Sequence, residues 1–276
     1  MSPTWRSEKE PAADPVSAAG WLRVALRGSA IAGLFAACFA LLAALRLVER
    51  PLFGLRRPWT PRITQFVCRS SLRLLGMRYR TKGQVMRGGG AVVANHASWL
   101  DILTLNARKR IYFVSKSEVA EWPAIGRMAR TVGTVFITRD ARDAAAQRAI
   151  FEARLAAGHK LLFFPEGTST DGQRVLPFKS TLFAAFFAPE LRDALHVQPV
   201  SVVYHAPAGA DARFYGWWGE MDFGAHMLKV LAAPRQGSVE VIYHAPLKVA
   251  DFSDRKALAR AAEQAVRRGF ETGRPA

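Results

Sequence analysis

The sequence has little cysteine, with two residues, Cys38 and Cys68, among 276. So few cysteines exclude a framework of disulfide bonds. Cys38 lies in an apolar run and Cys68 in a basic helical segment, and neither is predicted to be catalytic. The histidines other than His96 show no metal-ligand spacing, so no metal site is predicted.

Acidic residues are also scarce: 22 Asp and Glu stand against 39 Lys and Arg, which gives a formal net charge of +17. Strongly basic proteins often bind nucleic acid. This sequence, however, has no zinc-ligand spacing, no basic region with heptads and no aromatic RNA-binding signature. Its basic cluster adjoins an apolar segment, and an anionic membrane surface, worth about 1 kcal/mol per nearby basic residue, accounts for both features. We therefore expect membrane lipids as partners and no nucleic acid.

Charge is absent altogether between Arg27 and Arg46, where residues 28 to 45 form an uncharged run of 18. As a helix this run spans roughly 27 Å, which is just enough for the hydrocarbon core of a bilayer. It is predicted to be a membrane helix. A signal-peptide core and a buried helix are the alternatives, because its many alanines favour insertion less than leucines would.

Positive charge is concentrated directly after this run. Residues 46 to 82 carry nine arginines and one lysine against a single acid, Glu49, whereas residues 1 to 27 are nearly balanced. Positive residues stay on the cytoplasmic side of a membrane. The rest of the chain is therefore predicted to face the cytoplasm from the inner, cytoplasmic membrane.

A helix within this basic stretch is predicted to be amphipathic. Such a helix can lie in the membrane interface or pack on the folded domain, and the sequence favours both equally. Its apolar side comprises Ile63, Phe66, Val67, Leu74 and Leu75, and its basic side comprises Arg62, Arg69 and Arg73.

Strand-like and helical segments alternate through the rest of the chain. Strands are expected at residues 91 to 94, 111 to 115, 134 to 138, 160 to 164, 197 to 204 and 238 to 244, and helices at 141 to 157 and 254 to 268. This alternation predicts an α/β fold with a mixed, mostly parallel sheet flanked by helices. The chain is thus divided into a disordered segment at 1 to 20, a membrane-associated helical segment at 21 to 78 and one domain at 79 to 276.

Residues 95 to 101, Asn-His-Ala-Ser-Trp-Leu-Asp, place an imidazole and a carboxylate five positions apart where a short apolar strand meets a helix. On a continuous helix this separation would turn the two side chains about 140° apart, so a bend must lie between them. With His96 in the bend and Asp101 in the first helical turn, the carboxylate can accept the Nδ1 proton and leave Nε2 to act as a base. Ser98 is expected to cap the helix, so we infer that the nucleophile is a hydroxyl of the substrate.

A second block supports a catalytic interpretation of the first. Taken alone, His96 and Asp101 are equally well explained as structural residues, with Asp101 in a capping box. The block Phe-Pro-Glu-Gly-Thr at residues 164 to 168, however, follows an apolar strand that starts at Leu161. Two strand ends would then meet at one rim of the sheet, which is where open parallel sheets bind ligands.

With both blocks in this order, the chain resembles the glycerolipid acyltransferases typified by 1-acyl-glycerol-3-phosphate acyltransferase, whose signature is His-x4-Asp followed by Phe-Pro-Glu-Gly. Two weaker blocks of that family match at residues 133 to 139 and 197 to 200. The resemblance covers roughly residues 79 to 246. It implies an acyltransferase domain that uses no cofactor, takes its acyl group from an acyl carrier protein or coenzyme A thioester and acts on a lysolipid acceptor.

The resemblance also implies a role for each matching polar residue. His96 is the general base and Asp101 is its hydrogen-bonded orienter. Arg139 contacts an anion, together with the N-terminus of the helix expected at residue 141. The alternative for Arg139 is a solvated surface arginine.

Three residues of the second block and one proline complete the implied site. Glu166, Gly167 and Thr168 bind the acceptor, and Pro199 helps to form the acyl-donor side of the pocket. The alternative for Glu166 is a buried carboxylate that satisfies backbone amides, and for Pro199 it is a proline at a strand edge.

One departure from the family pattern bears on the acceptor. Many phosphatidate-forming relatives continue the second block as Gly-Thr-Arg-Ser, whereas this chain has Ser169 in place of the arginine. A guanidinium there would suit a dianionic phosphate, so its loss favours a less anionic acceptor. The run Gly-Thr-Ser-Thr-Asp-Gly at 167 to 172 and the aromatic stretch at 214 to 219 resemble the lyso-ornithine lipid acyltransferase branch. Lyso-ornithine lipid is therefore the expected acceptor, with 1-acyl-glycerol-3-phosphate as the alternative.

The expected chemistry is direct transfer. His96 deprotonates the acceptor hydroxyl, the alkoxide attacks the thioester, and backbone amides after His96 or around Gly167 stabilise the oxyanion. A serine hydrolase would need a nucleophile elbow such as Gly-x-Ser-x-Gly, which the sequence lacks, although a hydrolase that uses water stays open. A non-catalytic membrane-binding module has no need for His96, Asp101 and Glu166 together.

Residues 214 to 227 are rich in aromatic residues and glycine and are predicted to form a loop. Trp217 and Trp218 are expected to pack on the core. The alternative is that they lie at the bilayer interface or wall the acyl channel.

Overall fold

The computed structural model describes residue 5 and residues 15 to 122, 125 to 137 and 144 to 274. In this part of the chain the strands are β1 (Arg78–Gly83), β2 (Gly90–Ala94), β3 (Tyr112–Lys116), β4 (Val135–Ile137), β5 (Lys160–Phe163), β6 (His196–His205), β7 (Ser238–Tyr243) and β8 (Leu247–Lys248). They form one sheet in the order β1-β7-β6-β2-β5-β3-β4, and β8 pairs with β6. The ladders from β6 to β4 are parallel, and β7 and β8 run antiparallel to β6. The predicted mixed, mostly parallel sheet is confirmed.

The apolar runs in the sequence predicted six of these strands, each to within one residue at every described end. The strands β1 and β8 were not predicted. β1 reads Arg-Tyr-Arg-Thr-Lys-Gly and is almost wholly exposed, because it lies at the edge of the sheet, where basic side chains prevent further pairing. β8 has two residues, too few for a pattern.

Helices cover both faces of the sheet. They are α1 (Ala18–Phe53), α2 (Thr60–Leu75), α3 (Asp101–Arg108), α4 (Ile125–Val132), α5 (Ala144–Ala156), α6 (Pro189–Arg192), α7 (Phe223–Ala232) and α8 (Arg255–Gly273). Because strand residues alternate between faces, Val92 and Ala94 of β2 contact the core under α2, α3 and α7, whereas Ala91 and Val93 contact the core under α8.

Two element boundaries differ from the prediction. The predicted loop at 214 to 227 ends early, because the Asp222 side chain accepts a hydrogen bond of 2.7 Å from Ala225 N and caps α7. The last helix runs past Gly269, which was predicted to end it. A Cβ at Gly269 would lie 2.5 Å from Ser201 Oγ, so the glycine there permits close packing of α8 on β6. Trp218 is buried, as expected of a core residue.

Helix α1 contains the predicted membrane run and is long and apolar enough to cross a membrane by length and composition. It starts at Ala18, inside the segment that was predicted to be disordered; most of that segment lies outside the described residues. Near its start, Arg23 and Arg27 donate to carbonyls at the end of α7 over 2.6 to 2.8 Å. Near its end, Glu49 accepts from Trp59 N and Thr60 N at the start of α2. The helix therefore contacts the domain near its start and α2 near its end.

Helix α2 packs on the domain through a face that differs from the predicted one. Val67 and Leu75 are buried as expected, together with Cys68 and Leu72, whereas Phe66 and Leu74 are 56% and 41% exposed. These buried positions are spaced by one, four and three residues, so the stripe is rotated from the one predicted. α2 thus packs on the domain and also leaves apolar side chains outside.

Candidate active site

The two sequence blocks meet at one rim of the sheet. β2 and β5 are adjacent and parallel, with Val93 opposite Phe163, so the residues that follow each strand emerge side by side. His96 N donates to Glu166 Oε1 over 2.8 Å, and Thr170 N donates to the carbonyl of His96 over 2.9 Å. These bonds join the loop after β2 to the loop after β5.

Asn95 marks the end of β2 and prepares the bend. Its side-chain amide donates to the Val202 carbonyl over 2.9 Å, and its side-chain oxygen accepts from Val202 N over 2.8 Å. The side chain thereby imitates one more residue of sheet pairing with β6. The backbone is free to leave the sheet at His96, which provides the bend that the five-residue spacing required.

His96 and Asp101 are in direct contact, with 2.7 Å between Nδ1 and Oδ2. Because an ionised carboxylate only accepts hydrogen bonds, Nδ1 carries the proton and Nε2 has a free lone pair. The same Oδ2 accepts from Ala97 N over 2.9 Å and from Ser98 N over 3.1 Å. The Asp101 side chain is fully buried, whereas the His96 side chain is 21% exposed. The imidazole therefore reaches the surface and the carboxylate lies behind it.

Aromatic stacking fixes the plane of the imidazole. The His96 ring lies 3.9 Å from the Phe164 ring at an angle of 11°, and Phe164 in turn stacks on Phe113. The N-cap residue of α3 is Leu100, without a side-chain cap, so Ser98 is not the cap that was expected. The Ser98 hydroxyl is buried and accepts from Leu100 N over 3.3 Å in the turn before the helix. Ser98 is thus buried and already engaged in a local hydrogen bond.

Tyr204 is a polar contact of the site that the sequence analysis missed. Its hydroxyl donates to Asp101 Oδ1 over 2.7 Å, 103 residues away along the chain. A tyrosine in an apolar strand looks like a core residue in sequence. The period of two along β6, which places Val200, Val202 and Tyr204 on one face, is the signal that could have directed it beneath α3.

Glu166 is buried, with both carboxyl oxygens bound to backbone amides. Oε1 accepts from His96 N and Oε2 accepts from Leu176 N over 2.9 Å. Burial raises the pKa of this carboxyl to about 8. The geometry matches the structural alternative, a carboxylate that satisfies backbone amides, and it shapes the loop between β5 and residue 176.

Gly167 and Thr168 continue the same loop. Gly167 has a φ of +74°, which residues with a Cβ rarely adopt, so this position favours glycine. Its amide donates to Phe164 O over 3.0 Å. The Thr168 hydroxyl lies 3.4 Å from Trp5 N. Among the described residues, neither Gly167 nor Thr168 forms a hydrogen bond with the His96 ring.

The loop with Ser169, where many phosphatidate-forming relatives have an arginine, carries an internal ion pair. Asp171 is buried and pairs with Arg174 over 2.9 Å, and the Arg174 side chain is 53% exposed. Gln173 N also donates to Asp171 Oδ1 over 3.0 Å. The negative charge of Asp171 is therefore neutralised within its own loop.

Two predicted site residues remain, Arg139 and Pro199. Arg139 lies outside the described residues. Pro199 is buried within β6, opposite Val93. The Pro199 carbonyl accepts from His244 N over 3.1 Å in the gap between β7 and β8. Because the amide and carbonyl of one strand residue point to the same side, the missing N–H of Pro199 faces this gap, which makes a proline tolerable in an interior strand. It is not at a sheet edge, and its role in donor binding stays a prediction.

The chain matches the protein-family model described as Acyltransferase over residues 76 to 203. It is 57% identical over 268 residues to the lyso-ornithine lipid O-acyltransferase of Rhodobacter capsulatus, with 97% of each chain covered. It is also 39% identical over 226 residues to the lyso-ornithine lipid O-acyltransferase of Brucella abortus, with 77% of this chain and 83% of the relative covered. These similarities confirm the resemblance to that branch.

A solved structure shares the fold. The crystal structure of the 1-acyl-sn-glycerophosphate acyltransferase from Thermotoga maritima matches with a TM-score of 0.62 and 19% identity, over 93% of this chain and 98% of that one. At this identity the likeness concerns the fold alone. From the family model and the similarity along nearly the whole chain, this protein belongs to the glycerolipid acyltransferase family and is an enzyme that transfers acyl groups.

Proposed function

We propose that this lysolipid acyltransferase esterifies the free hydroxyl of lyso-ornithine lipid, with an acyl carrier protein or coenzyme A thioester as donor and no cofactor. The observation that carries the chemistry is the 2.7 Å contact between His96 Nδ1 and Asp101 Oδ2, which leaves Nε2 able to accept a proton. The acceptor is supported by the names of the similar relatives and by Ser169, which stands where a phosphate-binding arginine would be expected.

In the proposed reaction, His96 Nε2 removes the proton from the acceptor hydroxyl as the oxygen attacks the thioester carbonyl. A tetrahedral oxyanion forms, the carbon–sulfur bond breaks and the thiolate leaves. The imidazolium then gives this proton to the departing thiolate, and the Asp101 carboxylate stabilises the imidazolium while it is charged. The proposed route includes no ester to the protein, and the one serine of the His96 block is buried with its hydroxyl bonded to Leu100 N.

The expected oxyanion donors need a correction. The amides of Ala97 and Ser98 both donate to Asp101 Oδ2, and the amide of Gly167 donates to Phe164 O. These three donors are already used within the protein, so they do not point at a substrate oxygen. Of the amides expected from sequence, these three are excluded as they stand in this structure, and the other amides around Gly167 stay a prediction.

For its location we propose the cytoplasmic face of the inner membrane. The arginine-rich stretch after the apolar run supports this orientation. Apolar side chains of α1, α2 and the turn between them are exposed and suit a lipid environment. They include Leu47, Leu52, Phe53, Leu55, Trp59, Phe66 and Leu74.

An acceptor panel tests the proposed function. The purified full chain is incubated with a labelled acyl thioester and, separately, lyso-ornithine lipid or 1-acyl-glycerol-3-phosphate. We expect faster transfer to lyso-ornithine lipid, and loss of transfer in His96→Ala. Preference for the phosphate acceptor would overturn the acceptor assignment, and release of free fatty acid without transfer would indicate a hydrolase.

A further inference from the structure

We propose that Tyr204 is a positioning residue for the reaction, acting through Asp101. Its hydroxyl donates to Asp101 Oδ1 over 2.7 Å, on the carboxylate oxygen opposite the one that holds His96. The inference rests on the proposed roles of His96 and Asp101. It adds a third member, from a distant strand, to the hydrogen-bonded chain behind the imidazole.

The two oxygens of Asp101 are held very differently. Oδ2 meets three donors, which are His96 Nδ1, Ala97 N and Ser98 N. Among the residues that the structure describes, Oδ1 accepts from Tyr204 alone. Because the carboxylate is fully buried, water cannot readily replace a lost donor. The Tyr204 hydroxyl therefore determines whether Asp101 Oδ1 has a hydrogen-bond donor.

The sheet explains how Tyr204 reaches this position. β6 continues beyond the end of β2, whose last residue, Ala94, pairs with Val200. Tyr204 lies four residues further along β6, on the same face as Val200, and so projects beneath the first turn of α3. Thr104 Oγ1 lies 3.4 Å from the phenol oxygen, and the Tyr215 ring lies 5.6 Å from the Tyr204 ring. Contacts on both sides hold the ring in place.

A fixed Oδ1 keeps Oδ2 aimed at the imidazole. Without the phenol, the carboxylate gains freedom to rotate and its charge is less stabilised, so it becomes a more basic partner for His96 Nδ1. Tyr204 is thus expected to affect the rate and the protonation of His96 without touching the substrate. Glu166 also interacts electrostatically with Asp101, and Tyr204→Phe leaves this acid in place.

The test is Tyr204→Phe, which removes one oxygen and keeps the ring. We expect kcat to fall by about tenfold with KM little changed, as for loss of one hydrogen bond to a charged group. The acid limb of the kcat/KM profile should move to higher pH, because a more basic carboxylate raises the proton affinity of His96. Melting temperature is measured in parallel to establish that the variant is folded.

The matched control is Tyr215→Phe. The Tyr215 hydroxyl is also held by hydrogen bonds of 2.8 Å, to Gln236 and from Gly237, but it does not contact Asp101. The Tyr215→Phe substitution should lower stability without moving the acid limb of the kcat/KM profile. An unchanged rate and pH profile in folded Tyr204→Phe, or an equal shift in the control, would overturn the proposal.

A double-mutant cycle separates a role through Asp101 from a general one. In the Asp101→Asn background, Tyr204→Phe should cost much less than tenfold, because the residue through which it acts is already altered; a full additional loss would contradict the proposal. His96→Ala is assayed alongside. If His96→Ala retains turnover, the proposed base is wrong, whereas an inactive His96→Ala with a fully active Tyr204→Phe rejects only the inference about Tyr204.

Discussion

Asp101 and Glu166 show how buried carboxyls at one rim can serve different purposes. Asp101 faces an imidazole and a phenol, whereas both oxygens of Glu166 face backbone amides of two loops. The first arrangement orients a side chain that can exchange protons. The second ties the loop after β2 to the loop after β5, so it determines where the imidazole is placed.

Glu166→Gln should change how stability depends on pH. Burial raises the pKa of Glu166 from 4.5 to about 8, so between these values the folded protein keeps a proton that the unfolded chain releases. Glu166 therefore makes stability fall as pH rises through this window, by at most about 1.4 kcal/mol per pH unit. Denaturant unfolding in detergent at several pH values should show a less steep fall, or a steeper rise, with pH in Glu166→Gln than in the wild type. Parallel pH dependences would show that Glu166 does not titrate in this way.

At the residue level, the sequence predicted the pairs that are close along the chain. His96 and Asp101 are five residues apart, so a bend and a helix start sufficed to place them in contact. Tyr204 could not be found in this way, because its partner is 103 residues away and only the register of β6 against β2 brings them together. The buried position of Glu166 likewise depends on the loop near Leu176.

At the level of elements, α1 and α2 are joined by a buried carboxylate. Glu49 accepts from Trp59 N, from the backbone and hydroxyl of Thr60, and from Arg46, at distances from 2.6 to 3.2 Å. It supplies the N-terminus of α2 with acceptors that the cap residue Trp59 does not provide.

Glu49→Ala should therefore lower the free energy of unfolding by about 3 kcal/mol, the cost of leaving buried donors and a charge without a partner. Denaturant unfolding of the detergent-solubilised chain measures this loss. The control is Glu121→Ala, at an exposed acid, which should change stability by less than about 0.5 kcal/mol. Equal effects of the two substitutions would exclude the proposed cap.

The packing of α7 on the domain should be sensitive to acid. His226 accepts from Trp99 Nε1 over 3.0 Å, and burial lowers its pKa to about 4. The folded protein thus leaves this imidazole neutral while the unfolded chain takes up a proton below 6.5, so its contribution to stability is lost as pH falls from 6.5 through 4. His226→Gln should lose less stability than the wild type over this interval in thermal unfolding. A steeper acid loss in the variant would contradict the account.

Apolar periodicity predicted the positions of helices and strands where the pattern was strong. The predictions failed where tertiary contacts determine the position of an element. The six strands with apolar runs were predicted. Edge strand β1 was not, because its alternating basic residues are exposed and give no apolar pattern. Gly269 reads as a helix end in sequence, yet the contact of its backbone with Ser201 and His244 explains why a glycine lies inside α8. The rotation of the α2 stripe has the same origin, since α1 and α3 both pack on it.

At the scale of the whole molecule, the basic and apolar surfaces predict membrane binding. The net charge of +17 and the exposed apolar side chains of α2 favour lipid, and salt should weaken the electrostatic part alone. In vesicle flotation, we expect binding to neutral and anionic vesicles, with the anionic preference reduced by salt. Phe66→Ser with Leu74→Ser should weaken binding to neutral vesicles, whereas salt-sensitive binding to duplex DNA with no flotation would contradict this interpretation.

The central claim is that an imidazole oriented by Asp101 activates the acceptor hydroxyl for direct attack on the thioester. The most direct measurement mixes the purified protein with a labelled acyl thioester, with and without lysolipid, and follows thiol release, lipid product and intact protein mass together. We predict thiol release only with acceptor, one lipid ester per thiol, no mass added to the protein, and no product from His96→Ala. A burst of thiol with an acylated protein, or continued turnover in His96→Ala, would contradict the mechanism.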